Sequence, residues 1–146
     1  MKNVFRTFVL AGALTLTPSC AAPKLENPVA AARTTNQRAY ALIETYGALI
    51  EEATVLVRDP SVPAQAKHAL GAAERVATPA VETLEAALAA YDRADADMRA
   101  INASDKTGAA RAAATLAAAI QRLTQALAAA EAPIGELESL VHAAKP

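Results

Sequence analysis

Apolar residues recur along this chain with a seven-residue beat, and the beat is interrupted at only a few places. The first periodic stretch sets Val29, Asn36, Ile43, Ile50 and Val57 against Ala32, Ala39, Tyr46 and Ala53, with Leu42, Leu49 and Leu56 widening the same face. In the second, Leu70, Ala77, Leu84, Tyr91 and Met98 interleave with Ala73, Ala80, Ala87, Ala94 and Ile101. The third is the most regular, with Ala113, Ile120, Leu127, Ile134 and Val141 interleaved with Leu116, Leu123, Ala130 and Leu137. A seven-residue repeat keeps one face of an α-helix apolar, so each stretch predicts a helix. The stripes are wider than the narrow seam of a two-stranded coil, which points to a closed bundle.

The punctuation sets the boundaries. Asn27 followed by Pro28 reads as a helix start, and Asp59-Pro60-Ser61-Val62-Pro63 reads as a stop followed by a second start. Asn102-Ala103-Ser104-Asp105 offers another stop and start. Helices are therefore expected over 28–58, 63–101 and 105–143, with kinks or local breaks at Pro79 and Pro133. Short connections force neighbouring helices to run antiparallel. The expected fold is all-α: an elongated antiparallel three-helix bundle with proline-kinked second and third helices. The second and third helices are long enough to overhang the first, and an exposed tip there would favour self-association.

Composition reinforces this reading. Alanine accounts for 41 of 146 residues, and it is the best helix former. Val, Ile and Thr never alternate with polar residues over a sustained window, so strands are not expected. Alanine in the seams lets helices approach to about 8 Å, the close end of the interaxial range.

Ahead of the bundle stands a different kind of segment. Lys2 and Arg6 precede an apolar run from Phe8 to Leu16, of signal-peptide length at about ten residues. Spanning a bilayer takes about 20 apolar residues, and every later apolar stretch is broken by charges, so no transmembrane anchor is expected. The run ends at Cys20, the single cysteine, which excludes a disulfide within one chain.

Leu16-Thr17-Pro18-Ser19-Cys20 resembles the lipobox of bacterial lipoproteins. Ser19 fits that pattern, whereas Thr17 replaces the usual aliphatic residue and Pro18 is uncommon at its position. The resemblance implies a lipidation site at Cys20, a mature chain beginning there and, with Ala21 following, delivery to the periplasmic face of the outer membrane. Acyl chains bury methylenes at ~0.8 kcal/mol each, so three of them make a permanent anchor. Ser19, Cys20 and Ala21 also suit ordinary signal peptidase. That cut would release a soluble periplasmic or secreted chain starting near Ala22. The expected organisation is a signal peptide over 1–20, a tether over 21–27 and a helical domain over 28–146.

Of the 14 basic residues two, Lys2 and Arg6, lie in the leading segment, leaving 12 against 15 acidic ones with the signs interleaved. Without a basic stripe, and with an aromatic content of 3% and no tryptophan, nucleic acid is not an expected partner.

Candidate chemistry in the helices has simpler structural explanations. His68 and His142 take outward positions and pair with no other histidine at helical spacing, so neither metal nor cofactor is expected. Glu44, Glu51, Glu52, Glu82, Glu85 and Asp92 read as solvated faces. Asp95 borders the apolar stripe and is placed to pair with Arg99 four residues on, while Arg93 and Asp97 offer the reverse order. Tyr46 and Tyr91 read as core fillers with hydroxyls reaching the edge, and Tyr40 borders the seam. Asn36 is a candidate core polar residue that sets helix register. Ser, Thr and Cys nucleophiles lack a histidine at any suggestive position, and five glycines build no phosphate-binding loop, which argues against an enzyme.

Asn36-Gln37-Arg38-Ala39-Tyr40-Ala41-Leu42, the Asp59–Pro63 break and Ala77-Thr78-Pro79 are also similar to small alanine-rich helical proteins of proteobacteria and their phages, a group without an established activity. The function expected is that of a non-enzymatic, membrane-anchored envelope lipoprotein serving as a helical scaffold or protein-interaction module, with a protein partner or a second copy bound. Two alternatives stand beside it. One is a periplasmic carrier of a small apolar ligand or acyl chain. The other is a phage-derived lipoprotein acting at host lysis or exclusion.

Overall fold

The computed structural model describes residues 34–101 and 104–145. Three helices make up this part of the chain: α1 (Thr35–Arg58), α2 (Ala64–Ala100) and α3 (Lys106–Ala144). At 1.5 Å per residue they measure about 36, 55 and 58 Å. They pack into a helical bundle, and α2 and α3 share the longest interface while α1 rests on both.

The ends are set by local chemistry. Thr34 opens α1 with a capping box: its hydroxyl accepts from the Gln37 N–H, and the Gln37 amide oxygen accepts from the Thr34 N–H. The described helix thus starts at this box, later than the Asn27-Pro28 signal, and residues 28–33 lie outside the described residues. Pro60 ends α1 by holding Asp59 extended at φ −71°, ψ 121°. The Asp59 carboxylate then accepts from both the N–H and the hydroxyl of Ser61, at 2.8 and 2.7 Å, which turns the chain. Val62, inside this turn, is buried and plugs that end of the core.

Asp105 caps α3 by accepting from the Gly108 N–H at 2.8 Å. A Cβ at position 108 would meet the Asp105 carboxylate, which would have to turn aside to keep the cap.

The core follows the seven-residue beat with one shift. In α1 the buried residues are Ala39, Ala41, Leu42, Leu49, Ala53 and Leu56. Ile43 and Ile50 are only partly buried and Val57 is exposed, so the line expected to widen the face is its centre. In α2, Val81 and Leu88 join the expected Leu70, Ala73, Ala77, Leu84 and Ala94. In α3 the beat is buried from Leu123 to Val141, whereas Ile120 is 41% exposed and Ala113 lies on the surface. Arg38 of α1 pairs with Glu131 of α3, so α1 begins too far along α3 to cover its early turns.

Both helical prolines lie inside continuous helix. Pro79 removes one backbone donor. Thr78 and Thr83 donate their hydroxyls to the carbonyls of Glu74 and Pro79, each at 2.8 Å, on either side of it.

Leu84 and Leu137 are fully enclosed. Leu84→Ala and Leu137→Ala should each cost about 2–5 kcal/mol in urea unfolding. Val55→Thr, at a position 67% exposed, should stay within about 0.5 kcal/mol of the parent. Gly47 sits in mid-helix with open space where a Cβ would go. Gly47→Ala should therefore stabilise by about 0.5–1 kcal/mol in the same measurement.

Candidate functional site

A groove of about 510 Å³ lies between α2 and α3. Thr83, Ala86, Ala87 and Ala90 line it from α2, and Arg122, Gln125, Ala126 and Ala129 from α3. It exists because alanine on facing positions of two neighbouring helices leaves space where larger side chains would meet. Arg122 and Gln125 are exposed and have no hydrogen-bond or ionic partner among the described residues. A smaller groove of about 170 Å³ lies where α1 starts, between Thr34, Thr35, Asn36, Tyr91, Ile120 and Leu123. Another, of about 150 Å³, lies between α1 and α2 beside Val57, Leu70 and Glu74.

Polar side chains form links across the helices rather than a buried centre. Arg38 pairs with Glu131, and Lys145 with Glu52 at 2.7 Å, tying α1 to α3 at both ends. Tyr40 Oη donates to Asp92 Oδ2 at 2.7 Å. Tyr46 Oη meets Thr78 Oγ1 at 2.7 Å, and since that hydroxyl gives its proton to Glu74 O, tyrosine is the donor. Among the described residues no polar or charged residue is fully buried, and no three His, Cys, Asp or Glu converge in a metal-binding arrangement.

The residues singled out in the sequence are dispersed. Asn36 is half-buried in the first turn of α1, where its Oδ1 accepts from the Thr34 hydroxyl and its side chain edges the small groove. His68 is exposed. His142 is exposed too, with Nδ1 2.8 Å from the Glu138 carbonyl in its own helix. Asp95 pairs with Arg99, as its spacing predicts, while Arg93 and Asp97 stay exposed without an ion pair. Tyr46 and Tyr91 are half-buried beside the core. Cys20 lies outside the described residues. Sequence reasoning missed all four links between helices. Two of them follow one signal: Arg38 to Glu131 and Glu52 to Lys145 are opposite charges at the same separation in the chain.

Two groups titrate away from their ordinary ranges. The Tyr40 hydroxyl is pushed up, first by the hydrogen bond it gives to Asp92 and then by partial desolvation and the Asp92 charge. The Asp59 carboxyl is held down, first by the Ser61 hydroxyl and then by the Ser61 N–H, with Lys67 adding a smaller pull.

No protein family, curated protein or solved structure matches the chain.

The two shifts act at opposite ends of the pH scale. Tyr40 has its pKa raised by folding, so its contribution is complete below the ordinary tyrosine value, about 10, and is lost as pH rises through the folded value. In an ultraviolet titration, Tyr40→Phe should remove a tyrosine that ionises above that ordinary value. Asp59 has its pKa lowered, so its contribution is present above about 3.9 and is lost as pH falls through the folded value. Ser61→Ala should move the Asp59 carboxyl resonance midpoint upward in a carbon-detected NMR titration. An unmoved midpoint would contradict this assignment.

Proposed function

We propose that this chain is a non-enzymatic envelope lipoprotein, anchored through acylated Cys20, whose helical body works as a scaffold or interaction module. The observation that carries the anchor is the order of the leading segment: Lys2 and Arg6, the apolar run from Phe8 to Leu16, and Ser19 directly before Cys20. Supporting the second half is the way the body spends its side chains. Leucine and alanine fill the core, polar groups pair across the surface, and an alanine-floored groove lies open between α2 and α3.

The finer architecture belongs to the same reading. Tyr40 reaches Asp92 while Tyr46, further along α1, reaches Thr78, earlier in α2. That order supports α1 and α2 running antiparallel. Arg38 to Glu131 and Glu52 to Lys145 advance together, which supports α1 and α3 running alongside in one direction. An elongated up-down-up bundle, bent at Pro79 and Pro133, is the shape we infer. The 14 residue steps from Cys20 to Thr34, where the described body begins, extend at most about 50 Å, which would tether such a rod to its membrane.

The groove also favours a second reading, a carrier of a small apolar ligand or acyl chain. Its volume falls within the range of about 300–1,000 Å³ usual for small-molecule pockets. Lipid co-purifying in native mass spectra would separate the carrier from the scaffold.

The anchor is tested by the mass of the mature N-terminus and by cell fractionation. We expect an acylated chain starting at Cys20 in the membrane fraction, and a Cys20→Ala variant that loses the acyl mass and leaves the processed membrane pool. An unacylated wild-type chain starting near Ala22 would overturn the anchored reading.

A further inference from the structure

The groove between α2 and α3 has a property that its volume does not convey. Ala129, on its α3 wall, is exposed and stands midway between two exposed charges of opposite sign. Arg122 lies seven residues before it and Glu136 seven residues after. Seven residues are close to two helical turns, so all three share one face, with each charge about 10.5 Å from Ala129 measured along the helix, which continues without a break through Pro133 between Ala129 and Glu136. Neither Arg122 nor Glu136 has an ionic or hydrogen-bonding partner among the described residues.

This spacing is self-complementary. A two-fold interface brings each residue of a patch against its symmetry mate's counterpart. If a second α3 crosses the first antiparallel at Ala129, Arg122 of each copy faces Glu136 of the other. Alanine at the crossing permits close approach of the two helices. Lines of like charge are avoided, because the positive end of one patch meets the negative end of its mate.

We propose that the α2–α3 face is a homodimer interface, occupied by a second copy of this chain that crosses at Ala129 and is registered by reciprocal Arg122–Glu136 pairs. This deepens the protein-contact reading above by naming the partner, and it does not depend on the lipid anchor.

The test uses the full chain carrying Cys20→Ala, so that an introduced thiol is the only one. Ala129→Cys lies on the two-fold axis, where the Cα atoms of two copies come within disulfide range. Under mild oxidation it should give a covalent dimer, and Ala48→Cys, exposed on α1, should not. By sedimentation, Arg122→Glu should weaken self-association about tenfold or more, because it places like charges opposite each other twice per dimer. The double reversal Arg122→Glu with Glu136→Arg should restore it, with helical circular dichroism unchanged throughout. A chain that stays monomeric at high micromolar concentration would overturn the proposal, as would equal crosslinking at positions 48 and 129 or a double reversal that fails to recover. Monomers with co-purified lipid would likewise overturn it and assign the groove to a small apolar ligand. Acylation at Cys20 is read separately, so loss of the dimer leaves the anchor standing or falling on its own measurement.

Discussion

Alanine at buried contact positions constrains everything else in this bundle. Ala39, Ala77 and Ala130 are completely enclosed, one on each helix, and between them stand the large enclosed residues Leu70, Leu84, Leu123, Ile134, Leu137 and Val141. A small residue opposite a large one lets the helix axes come together without voids, and dense packing recovers dispersion energy that a looser interface would lose. The cost is area. An enclosed alanine removes far less apolar surface from water than leucine does, so each turn contributes little and the helices must be long for the sum to hold. The 37 and 39 residues of α2 and α3 are one answer to that constraint. The core also holds no fully buried polar group among the described residues, so packing bears no desolvation penalty.

Register then has to come from the surface. The stripe of α1 is mostly alanine and leucine, and such a face can slide by a turn with modest loss. Arg38–Glu131 and Glu52–Lys145 hold it at its two ends, with Tyr40–Asp92 and Tyr46–Thr78 between. Each exposed pair is worth about 0–1 kcal/mol. Four of them distributed along one 24-residue helix still separate the correct alignment from its neighbours, because a slip of one turn breaks all four together. This is specificity obtained at the rim, where water tempers the energies but does not erase the geometry.

Much of this was legible in the chain. Three helices, their approximate limits and most of the buried positions in α2 and α3 follow from a seven-residue beat and a few breakers. What the pattern could not supply was the third dimension. The α1 stripe has two candidate lines, one through Ile43 and Ile50 and one through Leu42 and Leu49. Only packing against both other helices makes the leucine line central. The start of α1 at Thr34 was missed because an Asn-Pro signal stands earlier, while the capping box depends on Gln37 three residues ahead. The exposure of Ile120 escaped the pattern for a related reason: periodicity reports which face a residue occupies, not how fully the end of a neighbouring helix covers it, and beside Ile120 the start of α1 leaves a groove. For the candidate site, the groove and its unpaired Arg122 required knowing which alanines face each other.

The same constraint ties the closed side of the molecule to its open one. α1 covers one face of the α2–α3 pair; the groove at Thr83, Ala87, Ala126 and Ala129 is left to solvent. A long pair of alanine-rich helices has two usable faces, because alanine is small enough to suit a neighbour on either side and apolar enough to gain from one. The gain from covering such a face is small per unit length, so a neighbour must run along several turns to be held, which a helix does and a compact ligand does not. Charges at fixed spacing would then decide which helix is accepted. On α3 they stand two turns to either side of Ala129 with opposite signs, an arrangement that its own reversed copy matches without further adjustment.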